Sequence, residues 1–108
     1  MTTVKKLDDY QDLAATTAVY PTQKALEYLS LGLAGEVGEL TGKLAKWYRK
    51  DGIYPREDIL DELGDCLWFI SEFARQHNRK LSDLAQNNLD KLASRKARGT
   101  LKGTGDNR

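Results

Sequence analysis

The chain lacks almost everything that would mark a secreted, membrane-bound or β-rich protein. It has one cysteine, Cys66, so no intrachain disulfide can form and a reducing compartment is expected. Cys66 falls among Leu63, Leu67 and Ile70, where it reads as a small core residue. Proline occurs only at positions 21 and 55, and no segment alternates β-branched residues between turn signals as strands do. No apolar run reaches membrane length and no stretch resembles the h-region of a signal peptide, so a soluble, cytoplasmic protein is expected. An excess of charge is also missing. Lys+Arg 17 against Asp+Glu 16 leaves a net charge of +1, which gives no global pull toward nucleic acid or a membrane surface. The single histidine, His77, does not stand three residues after any glutamate, which removes the Glu-x-x-His pairs that a di-iron carboxylate bundle needs.

What is present is helical spacing throughout. A length of 108 residues suits one domain with one core, assigned here to residues 1–97. A basic, glycine-rich tail follows over 98–108 and argues against a packed element there. From Arg95 to Arg108 the charges are Arg95, Lys96, Arg98, Lys102 and Arg108 against Asp106 alone. Four helices are expected. The first spans Val4 to Ala18 and is interrupted by Tyr20-Pro21. The second runs from Thr22 to Lys50, with Leu26, Leu29, Leu33, Leu40, Leu44 and Trp47 on its stripe, and ends in an Asp51-Gly52 turn. The third opens at Pro55 and carries Ile59, Leu63, Cys66, Ile70 and Phe73 on its apolar face. After a polar connection from Gln76 to Lys80, Ser82 is the expected N-cap of a last helix reaching Arg95. An all-α, four-helix-bundle-like fold is the reading. Four helices in so short a chain leave a thin core, and part of the second helix's stripe would stay exposed in a monomer. A homodimer or homotetramer is therefore expected, with neither nucleic acid nor membrane as partner.

Two acidic pairs carry the chemistry. Glu36 and Glu39 stand three apart in Gly35-Glu-Val-Gly-Glu-Leu40, and Glu62 and Asp65 three apart in Asp61-Glu-Leu-Gly-Asp65. Residues three apart share one face of a helix, so each pair aims two carboxylates one way. At about 100° per residue, both pairs border apolar stripes, and Lys43 lies on the flank of Glu36 and Glu39. Converging carboxylates repel unless divalent cations neutralise them, and hard oxygen ligands suit Mg²⁺ or Mn²⁺. The competing reading, solvated acids paired with lysines, is the usual one for a single Glu-x-x-Glu; two pairs on neighbouring helices favour a metal. Asp58 and Asp61 lie in the first turn of the third helix and are assigned to its dipole.

Glycines 32, 35, 38 and 42 within the second helix and Gly64 within the third each cost about 1 kcal/mol against alanine. Close helix packing or the approach of a ligand is the expected compensation. On the last helix Asn88, Lys91 and Arg95 are spaced three and four apart and share a face that overlaps the one formed by Leu84, Leu89 and Leu92. Such a trio suits an anion held near the bundle, or equally a solvated flank with Asn88 as an odd polar group in the core.

Glu36-x-x-Glu39 followed by Glu62-x-x-Asp65 resembles the signature of the all-α nucleoside triphosphate pyrophosphohydrolases, the MazG-like superfamily. The similarity runs in order through Gly32-Leu-Ala-Gly-Glu-Val-Gly-Glu-Leu40, Glu62-Leu-Gly-Asp-Cys-Leu-Trp68 and Asn88-Leu-Asp-Lys-Leu-Ala-Ser-Arg95. It covers the chain from about Tyr10 to Arg95. The ending from Arg98 to Arg108 looks like the tails of short, single-domain, phage-type members. One departure is Lys96-Ala97, where many members carry an aromatic-proline pair.

The resemblance implies hydrolysis of a (deoxy)nucleoside triphosphate to its monophosphate and pyrophosphate, with two or more Mg²⁺ or Mn²⁺ ions per site. It implies Glu36, Glu39, Glu62 and Asp65 as metal ligands, and Asn88, Lys91 and Arg95 as phosphate contacts. A water attacking the α-phosphorus in line would pass its proton to Glu36 or Glu39. Tyr10, Gln11, Thr17 and Trp68 are the candidates for contacting the base, with core packing as the alternative for Tyr10 and Trp68. Short relatives include enzymes acting on deoxynucleotides, some favouring guanine, so (d)GTP is the expected substrate. The alternatives are dUTP or dCTP, phosphoribosyl-ATP, and a non-catalytic helical interaction module.

Overall fold

The computed structural model describes residues 3–49, 52–106 and 108. Its helices are α1 (Leu7–Ala15), α2 (Ala25–Tyr48), α3 (Arg56–Gln76) and α4 (Leu81–Ala97), with a short 3₁₀ turn at Thr22–Lys24 leading into α2. No strand occurs among the described residues, so the all-α reading holds. No described helix is long and apolar enough to cross a membrane.

Helix ends differ from expectation for local reasons. α1 is shorter than Val4 to Ala18 at both ends. Past Ala15 the Thr16 and Thr17 hydroxyls donate to the carbonyls of Leu13 and Ala14, and the N–H groups of Thr16, Thr17 and Ala18 reach back only three residues. Side chains that compete for helix carbonyls favour this kind of tight ending. Residues 22–24, expected inside the second helix, form the 3₁₀ turn instead, and α2 ends at Tyr48. Lys50 and Asp51 lie outside the described residues. Gly52 takes φ +118°, a conformation that favours glycine. Pro55 is the residue immediately before α3, where its missing N–H costs nothing.

The start of α4 is where the sequence reading needs correction. Ser82 lies inside the first turn and does not cap it. The cap comes from α1: Ser82 donates its N–H and hydroxyl to Asp8 at 2.9 and 2.7 Å, and the Leu81 N–H donates to Gln11 Oε1 at 2.9 Å. The two donors of Ser82 hold the Asp8 carboxyl below its ordinary value. At the other end Gly99, with φ +71°, donates to the Lys96 carbonyl and Thr100 donates to that of Arg95. This is the hydrogen-bond pair of a Schellman ending.

α3 is the central element. It packs against α1, α2 and α4, while α2 makes no packing contact with α4 among the described residues. Gly32 lies against Phe69 while Lys43 meets Glu62, so α2 and α3 run antiparallel. A β-carbon at Gly32 would run into the Phe69 ring. Gly32→Ala is therefore expected to cost about 1–3 kcal/mol through overpacking, despite alanine's better helix propensity. The check is the urea midpoint, which should fall at an unchanged m-value. Close packing thus accounts for one glycine. Positions 35, 38, 42 and 64 all have open space where a β-carbon would stand.

Seating the Phe69 ring at Gly32 also turns α3 from its expected orientation. The buried residues are Ile59, Glu62, Cys66, Phe69, Ser71, Glu72 and Ala74. Leu63 and Ile70, expected in the core, remain 48% and 39% exposed. Glu72 is fully buried. It accepts hydrogen bonds from the Tyr20 hydroxyl at 2.6 Å and from Arg75 Nη2 and Nε at 2.7 and 2.9 Å.

Candidate metal centre

The antiparallel pairing of α2 and α3 brings Glu36, Glu62 and Asp65 together, with one carboxylate oxygen of each within 4.8 Å of the others. Burial is graded across them. Glu62 is buried, Glu36 half-buried and Asp65 exposed, so the group opens to solvent on one side. The Oε2 atoms of Glu36 and Glu62 are buried without a hydrogen-bond partner. Orphaned buried oxygens of this kind are costly, and a divalent cation would satisfy both. An all-carboxylate set beside open solvent fits Mg²⁺ or Mn²⁺. Glu39, the fourth expected ligand, is exposed and stands outside this group of three. Its charge nevertheless acts on Glu36.

The electrostatics are those of a crowded acidic site. With both acids ionised, the Oε2 atoms of Glu36 and Glu62 stand unpartnered. Without a cation the alternative is a proton on Glu36 shared with Glu62, and this, then burial and the charges of Glu39 and Asp65, pushes Glu36 up to about 7. Glu62 is held below its ordinary value, foremost by Lys43, whose Nζ lies 2.8 Å from Oε1. Burial and the same acids push the Cys66 thiol up, which fits a core residue and not a reactive one.

Glu36 predicts opposite pH trends without and with metal. In the metal-free protein its folded value of about 7 lies above the unfolded 4.5. Its contribution to stability is thus fully present below 4.5 and is lost as pH rises through 7. A cation must expel the same proton, so Mn²⁺ affinity is expected to rise from pH 6 to pH 8. Titration calorimetry in two buffers of different ionisation heat would detect the released proton. An affinity equal at both pH values would contradict this reading of Glu36.

The expected base contacts divide. Tyr10 stays near the acids; burial first, then the charges of Asp65 and Glu72, raise its hydroxyl. Trp68, three residues beyond Asp65, donates its indole N–H to Thr17 Oγ1 at 2.8 Å and meets Phe69 and Tyr20 edge-on. The Thr17 hydroxyl is thereby spent on the indole and on the Ala14 carbonyl. Gln11 has a structural role instead. It is buried, its amide donates to the carbonyls of Ser71 and Arg79, and its oxygen accepts from Leu81. With its oxygen and both amide hydrogens engaged, it ties α1 to α3, to the α3–α4 connection and to the start of α4, which leaves it unsuited to a base contact.

The cationic trio on α4 is also split. Lys91 and Arg95 both reach Asp106 at 3.3 Å, with Arg95 buried and its Nε unpartnered. Asn88 instead borders an apolar hollow of about 540 Å³ lined by Leu7, Leu67, Ile70, Leu81 and Leu84. The tail forms no regular element, yet it doubles back. Arg108 donates to the carbonyls of Thr100, Leu101 and Gly105, and Arg98 donates to that of Arg108.

Two features escaped the sequence reading. The Lys43–Glu62 pair joins two helices, and helical spacing had placed Lys43 only beside Glu36 and Glu39. Buried Glu72 did leave a signal, because it is the one charge inside the run from Cys66 to Ala74.

The family model for the MazG nucleotide pyrophosphohydrolase domain matches residues 24–99, which include α2, α3, α4 and all four acids. Gene 37 protein of Mycobacterium phage L5 is 43% identical over 112 residues, a stretch covering 94% of this chain and 98% of that protein. No solved structure matches the chain significantly. The carboxylate group and the matched span agree: this chain belongs to the MazG nucleotide pyrophosphohydrolase family.

Proposed function

We propose that this protein is a metal-dependent nucleoside triphosphate pyrophosphohydrolase that cleaves between the α- and β-phosphates, releasing a monophosphate and pyrophosphate. The observation that carries this reading is the meeting of Glu36, Glu62 and Asp65, two of them with buried, unpartnered oxygens. These three would hold Mg²⁺ or Mn²⁺. When bound, a divalent cation supplies charge neutralisation to the triphosphate and acidifies the attacking water. Glu39, exposed beside the three ligands, is free to accept the proton of that water. Lys91 and Arg95 grip a carboxylate in this structure, and the same donors suit a phosphate oxygen. Their proposed ligands are the β- and γ-phosphates. Tyr10 and Trp68, near Asp65, are the proposed base contacts, and guanine is the proposed base.

Self-association belongs to the same reading. The radius of gyration is 16.7 Å, against about 13 Å for a compact chain of this length. Leu31, Leu60, Leu63 and Leu89 are between 44% and 75% exposed. The open faces of glycines 35, 38 and 42 leave room for a second backbone. Apolar surface left outward in this way supports a homodimer or homotetramer.

The test is a panel of the eight common nucleotides, with phosphoribosyl-ATP added, assayed with Mg²⁺ and with Mn²⁺. The expected result is dGTP or GTP turned over fastest, stopped by EDTA, with light scattering giving a multiple of 12.2 kDa. No turnover of any nucleotide by a protein that binds Mn²⁺ would leave the non-catalytic helical module as the reading.

A further inference from the structure

Lys43 is in direct contact with the carboxylate group. It stands one helical turn beyond Glu39, and its ammonium crosses from α2 to Glu62 Oε1 on α3 at 2.8 Å. The other oxygen of Glu62 is buried without a partner, as is one of Glu36. Lys43 therefore partners one oxygen of Glu62 and leaves the other, with Glu36 Oε2, bare. An ordinary helix–helix salt bridge of a half-exposed lysine would contribute little. This pair differs because its acid is 6% exposed and is itself one of the converging carboxylates.

Lys43 also lines a hollow of about 330 Å³, together with Lys46, Trp47, Ile53, Pro55 and Asp58. A flexible four-carbon stem beside empty space can withdraw from Glu62 without displacing packed side chains. Asp58 lines the same hollow, and its charge already acts on Lys43, so it can receive the ammonium.

We propose that Lys43 is a resident counter-cation of this centre, a positioning residue that holds Glu62 while no metal is bound and gives up Oε1 when a divalent cation arrives. Loading is then an exchange: one ammonium leaves the carboxylates as the metal enters, and Lys43 sets how tightly the metal is held. The inference rests on the metal-centre reading above. Its consequence runs against that of a merely structural bridge. Removing Lys43 weakens the metal-free protein, in which the carboxylates lose their counter-charge, and strengthens metal binding, because a competitor and a nearby positive charge are gone.

The experiment is Mn²⁺ calorimetry at pH 8 without nucleotide, on wild type, Lys43→Met and Lys43→Gln, with thermal melts of each in EDTA and in saturating Mn²⁺. Both variants are expected to bind Mn²⁺ about tenfold more tightly than wild type. Each should melt lower than wild type in EDTA, with the gap closing in Mn²⁺. Lys43→Gln keeps the stem and a hydrogen-bond donor, so it serves if Lys43→Met fails to fold. Unchanged or weaker Mn²⁺ affinity in the folded variants, or an equal loss of stability in EDTA and Mn²⁺, overturns the counter-cation role. If wild type binds no Mn²⁺ at all, the metal centre itself fails and the inference falls with it, a result distinct from unequal binding by the variants.

Discussion

Asp65→Asn is expected to lower kcat/KM on the order of a thousandfold, about 4 kcal/mol of transition-state stabilisation, while the helical fold survives. Asp65 is the exposed member of the three converging carboxylates, so its replacement does not disturb the core. Asparagine keeps the volume but removes the charge that a hard divalent cation requires. Weaker Mn²⁺ binding should accompany the lost turnover, and far-UV circular dichroism should match wild type. Glu39→Gln should also stop turnover, with a smaller loss of metal affinity because Glu39 stands outside the group of three. Steady-state hydrolysis by Asp65→Asn equal to wild type in Mg²⁺ would remove Asp65 from the site.

The second large effect concerns stability. Glu72 is fully buried and accepts hydrogen bonds from Tyr20 and Arg75, and Gln76 in turn donates to the Tyr20 hydroxyl. Removing one partner of a buried charged network strands the others. Glu72→Ala is thus expected to cost about 3–5 kcal/mol, a fall in Tm on the order of 15 °C. Burial pushes the Glu72 carboxyl up, but Arg75 and Tyr20 more than offset it and hold the group below 4.5. Its contribution is therefore present above 4.5 and lost as pH falls through the depressed value. Wild type should lose stability in acid more steeply than Glu72→Ala. A Glu72→Ala midpoint within a few degrees of wild type would show that the network contributes little.

Much of this was legible from helical spacing, because the features concerned lie within single elements. Glu36 and Glu62 border apolar stripes in the sequence, and the packing of α2 on α3 brings the two acids together. The rest depended on contacts between distant elements. Nothing within the last helix reveals that Asp8 and Gln11 cap it, since the cap is supplied some 70 residues away. Gln11 reads as a polar residue on an otherwise apolar face, which suits a base contact as well as it suits a buried tie. The rotation of α3 followed from one steric fact, the Phe69 ring at Gly32, and apolar periodicity cannot choose between Leu63 and Phe69 as the buried residue. The pairing of Lys91 and Arg95 with Asp106 required the tail to fold back, and its glycines carry no periodic signal.

The most direct test of the central claim, a carboxylate-held metal centre that directs water to the α-phosphorus, is the fate of ¹⁸O from labelled water. Turnover of dGTP with Mg²⁺ in H₂¹⁸O, followed by ³¹P NMR, should yield dGMP carrying the label and unlabelled pyrophosphate. Label in the pyrophosphate, or formation of a diphosphate and orthophosphate, would contradict it.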